Sequence, residues 1–171
     1  MSAFDQAFEI VVGHEGGYSN NSADPGGETK YGISKRSYPS VNIGALTLDQ
    51  AKAIYQADYW NRAGCDLCDP GLALIVFDAA VNNGVGQAIR WLQAAVGVKA
   101  DGVIGPATRA AIAKADAQDA LVAAHSARIH MMAGLSTWAT FGRGWSKRLA
   151  QLPYQAAKMT GNDAPAASSS V

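Results

Sequence analysis

Apolar and polar positions recur along most of this chain at helical spacing. Ser2, with Asp5 three residues on, has the form of a capping box, and Phe4, Phe8, Val11 and Val12 fall on one face of the helix it opens. Gly16-Gly17 is the expected stop, which puts His14 and Glu15 in the last turn. From Tyr18 to Ser34 the chain is rich in Gly, Asn, Ser, Asp and Pro and reads as loop or short hairpin. Thr47 with Gln50 is a second capping box, opening a helix through about Trp60. Asp69-Pro70 supplies a cap and a first-turn proline for a buried helix running to Val81, which Asn82-Asn83-Gly84 breaks. Val85, Ile89, Leu92 and Val96 repeat at helical spacing up to Gly97. Asp101-Gly102 reads as a turn and Gly105-Pro106 as another helix start; Leu121, Val122, His125, Ile129 and Met132 mark a longer helix, and Leu149 and Leu152 belong to a last. The tail from Gly161 lacks the apolar content to fold. The pattern predicts a mainly α protein with at most a small β-hairpin region near residues 18–33, and it shows no internal repeat.

Composition agrees with this reading. Hydrophobic residues make up 49% and charged residues 16% of 171 residues, as in an ordinary globular protein. Alanine is abundant after residue 94, and alanine gives up no side-chain entropy in a helix. A chain of this length buries roughly 70% of the surface its unfolded form exposes and needs no staples. Net charge is zero but divided: residues 1–80 carry ten acids and five bases, residues 81–171 four acids and nine bases. A basic second half suits a partner that is anionic, either bacterial wall or nucleic acid, unless the imbalance lies only on solvated faces.

The first residues, Met-Ser-Ala-Phe-Asp-Gln, have neither the basic region nor the apolar core of a secretory signal. The longest near-apolar stretch, Gly71 to Phe77, is far short of the about 20 residues a membrane span needs. Synthesis in the bacterial cytoplasm is expected, with no stable membrane insertion. Cys65 and Cys68 stand alone in Cys-Asp-Leu-Cys, while His125 and His130, five residues apart, fall about 140° apart around a helix. Two reduced, structural thiols are expected, and no metal.

Glutamate at the end of a helix has a particular chemistry. The negative end of the helix dipole disfavours the carboxylate and raises its pKa, which suits a general acid. Glycosidic cleavage needs such an acid for the leaving oxygen and a second group to activate water or stabilise the sugar's positive charge. Glu15 meets the first requirement, and Gly16-Gly17 leave room beside it for a sugar ring. Glu28 is a competing second carboxylate, or a solvated loop residue. Asp78 and Asn82, four apart, share a helix face on which they hydrogen-bond a sugar's polar edge, or else Asp78 bridges to another helix. Tyr18, Tyr31 and Trp60 offer sugar-stacking faces, or belong to the core.

The segment His14-Glu15-Gly16-Gly17-Tyr18, with Asp24-Pro25-Gly26-Gly27-Glu28-Thr29 and Tyr31-Gly32-Ile33-Ser34, closely resembles the signature of glycoside hydrolase family 108, the N-acetylmuramidases of phage endolysins and secretion-associated systems. Phe77-Asp78-Ala79-Ala80-Val81-Asn82-Asn83-Gly84 is similar to that family's second block. The resemblance implies a lysozyme-like helical domain with Glu15 as catalytic acid. Older phage lysozymes space Glu, Asp and Thr by eight and then five residues; Glu15 and Asp24 keep the first interval, while Thr29 falls one short and Lys30 takes the threonine position. Asp24 and Thr29 are thus the further catalytic candidates, with Tyr18, Tyr31, Asp78 and Asn82 as substrate-binding ones.

Leu92-Gln93-Ala94-Ala95-Val96-Gly97-Val98 and Asp101-Gly102-Val103-Ile104-Gly105-Pro106-Ala107-Thr108 resemble the predicted peptidoglycan domain that follows this family's catalytic part. Their Asp-Gly-x-x-Gly-x-x-Thr pattern recurs in other wall-binding modules and is read either as binding or as architecture. The expected organisation is a catalytic part over residues 1–91, a wall-binding part over 92–160 and a tail over 161–171. The resemblance implies hydrolysis of the bond between N-acetylmuramic acid and N-acetylglucosamine, without a cofactor. The alternatives are a lytic transglycosylase on the same bond and a non-catalytic wall-binding or secretion-helper protein. The implied partner is the peptidoglycan glycan strand rather than nucleic acid. A monomer is expected, acting in the periplasm and cell wall after release through a holin or a secretion system.

Overall fold

The computed structural model describes residues 1–13, 17–20 and 27–162, and the chain divides into two compact units, Met1–Asp58 and Tyr59–Val171. It is mainly helical, with one two-stranded antiparallel sheet among the described residues.

The first unit opens with α1, Ala3–Val11. Ser2 Oγ accepts from the Asp5 backbone and Asp5 returns a bond to the Ser2 N–H, the reciprocal box read from the sequence. The helix ends earlier than expected. Gly13, at φ +72, donates its N–H to the Phe8 carbonyl and closes the last turn. Gly is favoured there because the left-handed region costs it nothing. Among the described residues α1 thus ends at Gly13, short of the stop expected at Gly16-Gly17, and Glu15 lies outside the described residues. Phe4, Ala7 and Phe8 are buried, with the Phe8 ring edge-on to Tyr55 at 5.6 Å.

Strands β1, Thr29–Lys30, and β2, Ile33–Ser34, form a hairpin in the register Thr29↔Ser34 and Lys30↔Ile33. Its two-residue turn, Tyr31-Gly32, has φ +51 and +75, so both residues lie in the left-handed region that twist-matched hairpins require. A β-carbon at Gly32 would also collide with the Tyr55 hydroxyl. That hydroxyl donates to the Tyr31 carbonyl at 3.0 Å and so braces the turn. Tyr55 closes α2, Leu48–Tyr55, whose start is the Thr47/Gln50 box; the chain then continues as a π-helical turn, Gln56–Asn61, instead of the α-helix expected to about Trp60.

The second unit is built around α3, Pro70–Asn83, in which every residue from Gly71 to Ala80 is buried. A helix apolar on all sides must be covered on all sides. The covering elements include α4, Val85–Ala95; α6, Ala117–Ala133; and α7, Trp138–Asn162. The short α5, Pro106–Ile112, lies between α4 and α6 in the sequence. No helix among the described residues is long and apolar enough to cross a membrane.

Asp78 sits in the middle of α3 and is fully buried. Its Oδ2 accepts from Arg128 Nη1 on α6 at 2.6 Å, and its Oδ1 accepts from Arg148 Nε on α7 at 3.0 Å and from Arg148 Nη2. One carboxylate thus ties three helices. A second polar link answers a defect in α7. Pro153 has no N–H to give the Leu149 carbonyl one turn earlier. His125 Nε2, from α6, donates to that carbonyl instead, at 2.8 Å. The donor tautomer leaves Nδ1 as the other, unprotonated nitrogen, buried without a hydrogen-bond partner among the described residues.

Two outcomes follow from these links. Asp78→Ala leaves a buried guanidinium uncompensated and should cost about 3–5 kcal/mol in chemical denaturation; a carboxylate reserved for a sugar would instead be removable with little loss of stability. For His125, burial chiefly, with Arg128 nearby, holds the folded pKa below the ordinary 6.5. The unfolded chain then binds more protons, so the stability due to His125 is complete above the unfolded pKa of about 6.5 and lost as pH falls towards the folded value. The melting temperature should drop between pH 7.5 and 5.5, and His125→Gln, which keeps a donor for Leu149 but does not titrate, should flatten that slope.

Candidate active site

The site residues read from the sequence fall in both compact units. In the first, Ser19 and Thr29 exchange both backbone hydrogen bonds, Ser19 N–H to Thr29 O at 2.9 Å and Thr29 N–H to Ser19 O at 2.8 Å. This bridge brings the flanking side chains together. Tyr18 Oη donates to Glu28 Oε1 at 2.7 Å, and the acceptor carboxylate raises the phenol's pKa above its ordinary value. The Thr29 hydroxyl donates to the Gly27 carbonyl at 3.3 Å. Glu28 is therefore held by a phenol across the bridge, and Thr29 contributes its backbone to the closure and its hydroxyl to the adjoining turn. Tyr31 stands at the hairpin tip with Lys30 Nζ 5.6 Å from its ring centre. Tyr18 is 49% exposed, so its ring face is open to a ligand. Glu15 and Asp24 lie outside the described residues.

In the second unit, Asp78 takes the bridging alternative. Both carboxylate oxygens face arginine, and full burial removes them from any surface ligand. The expectation that Asp78 hydrogen-bonds a sugar edge is corrected on that ground. Asn82 donates its Nδ2 to the Asp78 carbonyl at 2.8 Å, one turn back along α3, while the residue remains exposed. Trp60 is a core residue: 1% exposed, its Nε1 donates to Asp66 Oδ1 at 2.7 Å and its ring lies 5.5 Å from Phe77. Cys65 and Cys68 are free thiols. Burial pushes the Cys65 thiol well above its ordinary pKa and Cys68 up to about 12, which keeps both protonated and unreactive.

The Asp-Gly-x-x-Gly-x-x-Thr pattern resolves into architecture. Gln93 is 1% exposed, and its amide nitrogen reaches Asp101 Oδ1 at 2.8 Å, the Val103 carbonyl at 2.9 Å and Thr108 Oγ1 at 3.1 Å. Its Oε1 accepts from the Gly102 N–H at 2.8 Å. The pattern's polar side chains thus point at one buried amide, fixing the turn between α4 and α5.

The sequence places Arg128, Arg143, Lys147 and Arg148 in the last two helices with Trp138 and Trp145 close by, a basic surface with aromatic faces for an anionic strand, or else solvated bases and core tryptophans. On α7 the Trp145 ring centre lies 5.9 Å from that of Trp138 and 5.7 Å from that of Phe141, so the three form one row. Gly142 lets the chain pass close to the Trp138 indole; a β-carbon there would come within 2.8 Å of it. Trp138 and Trp145 are partly exposed and Phe141 is 54% exposed. Beside this row a pocket of about 230 Å³ is lined by residues that include Asn82, Asn83, Arg128, Trp145 and Arg148. A signal for it exists in the sequence: from Ala120 to Asn162 there are five bases and no acid.

Comparison with known proteins gives the family. The model described as Glycosyl hydrolase 108 matches residues 8–84, and that described as Predicted Peptidoglycan domain matches residues 87–150. These two matches meet beyond α3, whereas the compact units divide at Asp58 and Tyr59. No curated protein matches the chain. Among solved structures, that of SagA from Brucella abortus is 34% identical, with a TM-score of 0.81, covering 95% of this chain and 98% of the other. The chain belongs to glycosyl hydrolase family 108, carries the peptidoglycan domain after its catalytic part, and is a glycoside hydrolase that acts on peptidoglycan.

Proposed function

We propose that the chain is an N-acetylmuramidase, hydrolysing the bond between N-acetylmuramic acid and N-acetylglucosamine with Glu15 as general acid. The observation that carries this reading is the family match over residues 8–84, which includes Glu15 and the Gly-Gly-Tyr that follows it. Asp24 is the second carboxylate. The eight-residue interval from Glu15, the one older phage lysozymes keep, supports that assignment. Glu28 suits a positioning role, with one oxygen already accepting from Tyr18. In that role Tyr18 and Tyr31 present ring faces to the sugar, while Thr29 holds the closure.

The substrate is the glycan strand of peptidoglycan. The enzyme works as a monomer in the periplasm and wall after release by a holin or a secretion system, because its substrate lies outside the cytoplasm.

Glu15→Gln keeps the shape of the side chain but cannot deliver a proton, so digestion of purified wall should fall by at least about a hundredfold while the denaturation midpoint is unchanged. Mass spectrometry of the wild-type digest should show reducing muramic ends. Anhydro ends would make the enzyme a lytic transglycosylase, and near-normal digestion by the variant would remove Glu15 from the chemistry.

A further inference from the structure

Helices α6 and α7 carry Arg128, Arg143, Lys147, Arg148 and Lys158, with neither Asp nor Glu between Ala120 and Asn162. Asp78 neutralises one charge of the Arg128–Arg148 pair and leaves one in excess. The excess lies at the 230 Å³ pocket, whose lining among the described residues holds no acid. Arg148 uses Nε and Nη2 on Asp78; among the described residues its Nη1 makes no hydrogen bond, and its side chain is 41% exposed. Apolar lining, including Leu135 and Trp145, lies beside these groups. An exposed cationic donor beside an apolar wall complements a carboxylate that carries a small apolar side chain.

We propose that this pocket binds the free carboxyl end of a short peptide with small apolar side chains, Arg148 meeting the carboxylate, and Leu135 and Trp145 taking the side chain. The identity of that peptide as a peptidoglycan stem rests on the proposed substrate; the carboxylate chemistry does not. Occupancy gives the enzyme a preference for glycan whose stem peptides end in an open carboxylate.

Calorimetric titration of the whole chain with N-acetyl-D-alanyl-D-alanine, its C-terminal amide and inorganic phosphate tests the site. The acid should bind at least about tenfold more tightly than the amide, as loss of one charge-assisted hydrogen bond implies. Phosphate should compete poorly. Leu135→Trp fills the pocket without touching the ion cluster, and Arg148→Gln removes the exposed cation while Arg128 still pairs with Asp78. Each should weaken binding of the acid at least about tenfold and lower the preference for intact wall over peptide-stripped glycan. Equal affinity for acid and amide, no binding of either, or unchanged affinity in Leu135→Trp would overturn the proposal. Phosphate binding as tightly as the acid would overturn the peptide assignment in favour of a general anion site. A chain that binds the acid but releases no muramic ends from wall would sustain the pocket and refute the muramidase reading alone.

Discussion

The second unit depends on one buried carboxylate. From Gly71 to Ala80 helix α3 is buried and apolar except at Asp78, and α6 and α7 bring Arg128 and Arg148 to it from 50 and 70 residues away. Burying a charge is tolerable only with a close partner and satisfied hydrogen bonds. Without Asp78, the nearly sealed Arg128, at 1% exposure, would have no anion to face. Such a cluster adds little net stability over an apolar replacement, but it distinguishes one register of the three helices from its neighbours. Apolar contacts alone specify that register weakly, since ridges and grooves of similar helices fit in more than one way.

The same economy appears in the other buried polar groups. His125 supplies the donor that Pro153 withholds, so a proline in the interior of α7 becomes a link to α6. Gln93 supplies both donor and acceptor to a turn with no regular ladder of its own. Each is a side chain standing in for a missing backbone partner, which is why each is buried. In the first unit Tyr55 plays that part for the Tyr31-Gly32 turn, holding a non-glycine residue at positive φ by bonding its carbonyl.

What the sequence discloses follows the range of the interaction. Both capping boxes are legible because their partners lie three residues apart, and the Asp69-Pro70 start is legible for the same reason. The end of α1 is misread because Gly13 and Gly16-Gly17 are both competent stops, and composition does not rank them. The length of α7 is hidden by Gly142, Gly144 and Pro153, all poor helix formers that tertiary contacts carry. Asp78 is the clearest case. Its position in an apolar helix signals that it must be paired, but nothing local says whether by ligand or by protein, and the pairing arginines are too distant in sequence to be chosen by spacing. Tyr18 and Glu28, ten residues apart, escape notice as a pair because the Ser19–Thr29 bridge that aligns them has no sequence pattern of its own.

The charge asymmetry noticed in the sequence also changes meaning once the helices are placed. A surplus of bases spread over a surface steers partners from a distance only weakly, since screening confines it to about 8 Å at physiological salt. Here part of the surplus is fixed instead at a concave site, where Arg148 is oriented by Asp78 and stands near Trp145. A guanidinium already held in place by two hydrogen bonds loses little freedom on meeting an anion, and an apolar wall beside it adds a requirement of shape to one of charge. Asp78 therefore does two things with one charge: it makes the burial of Arg128 tolerable, and it aims the cation that remains.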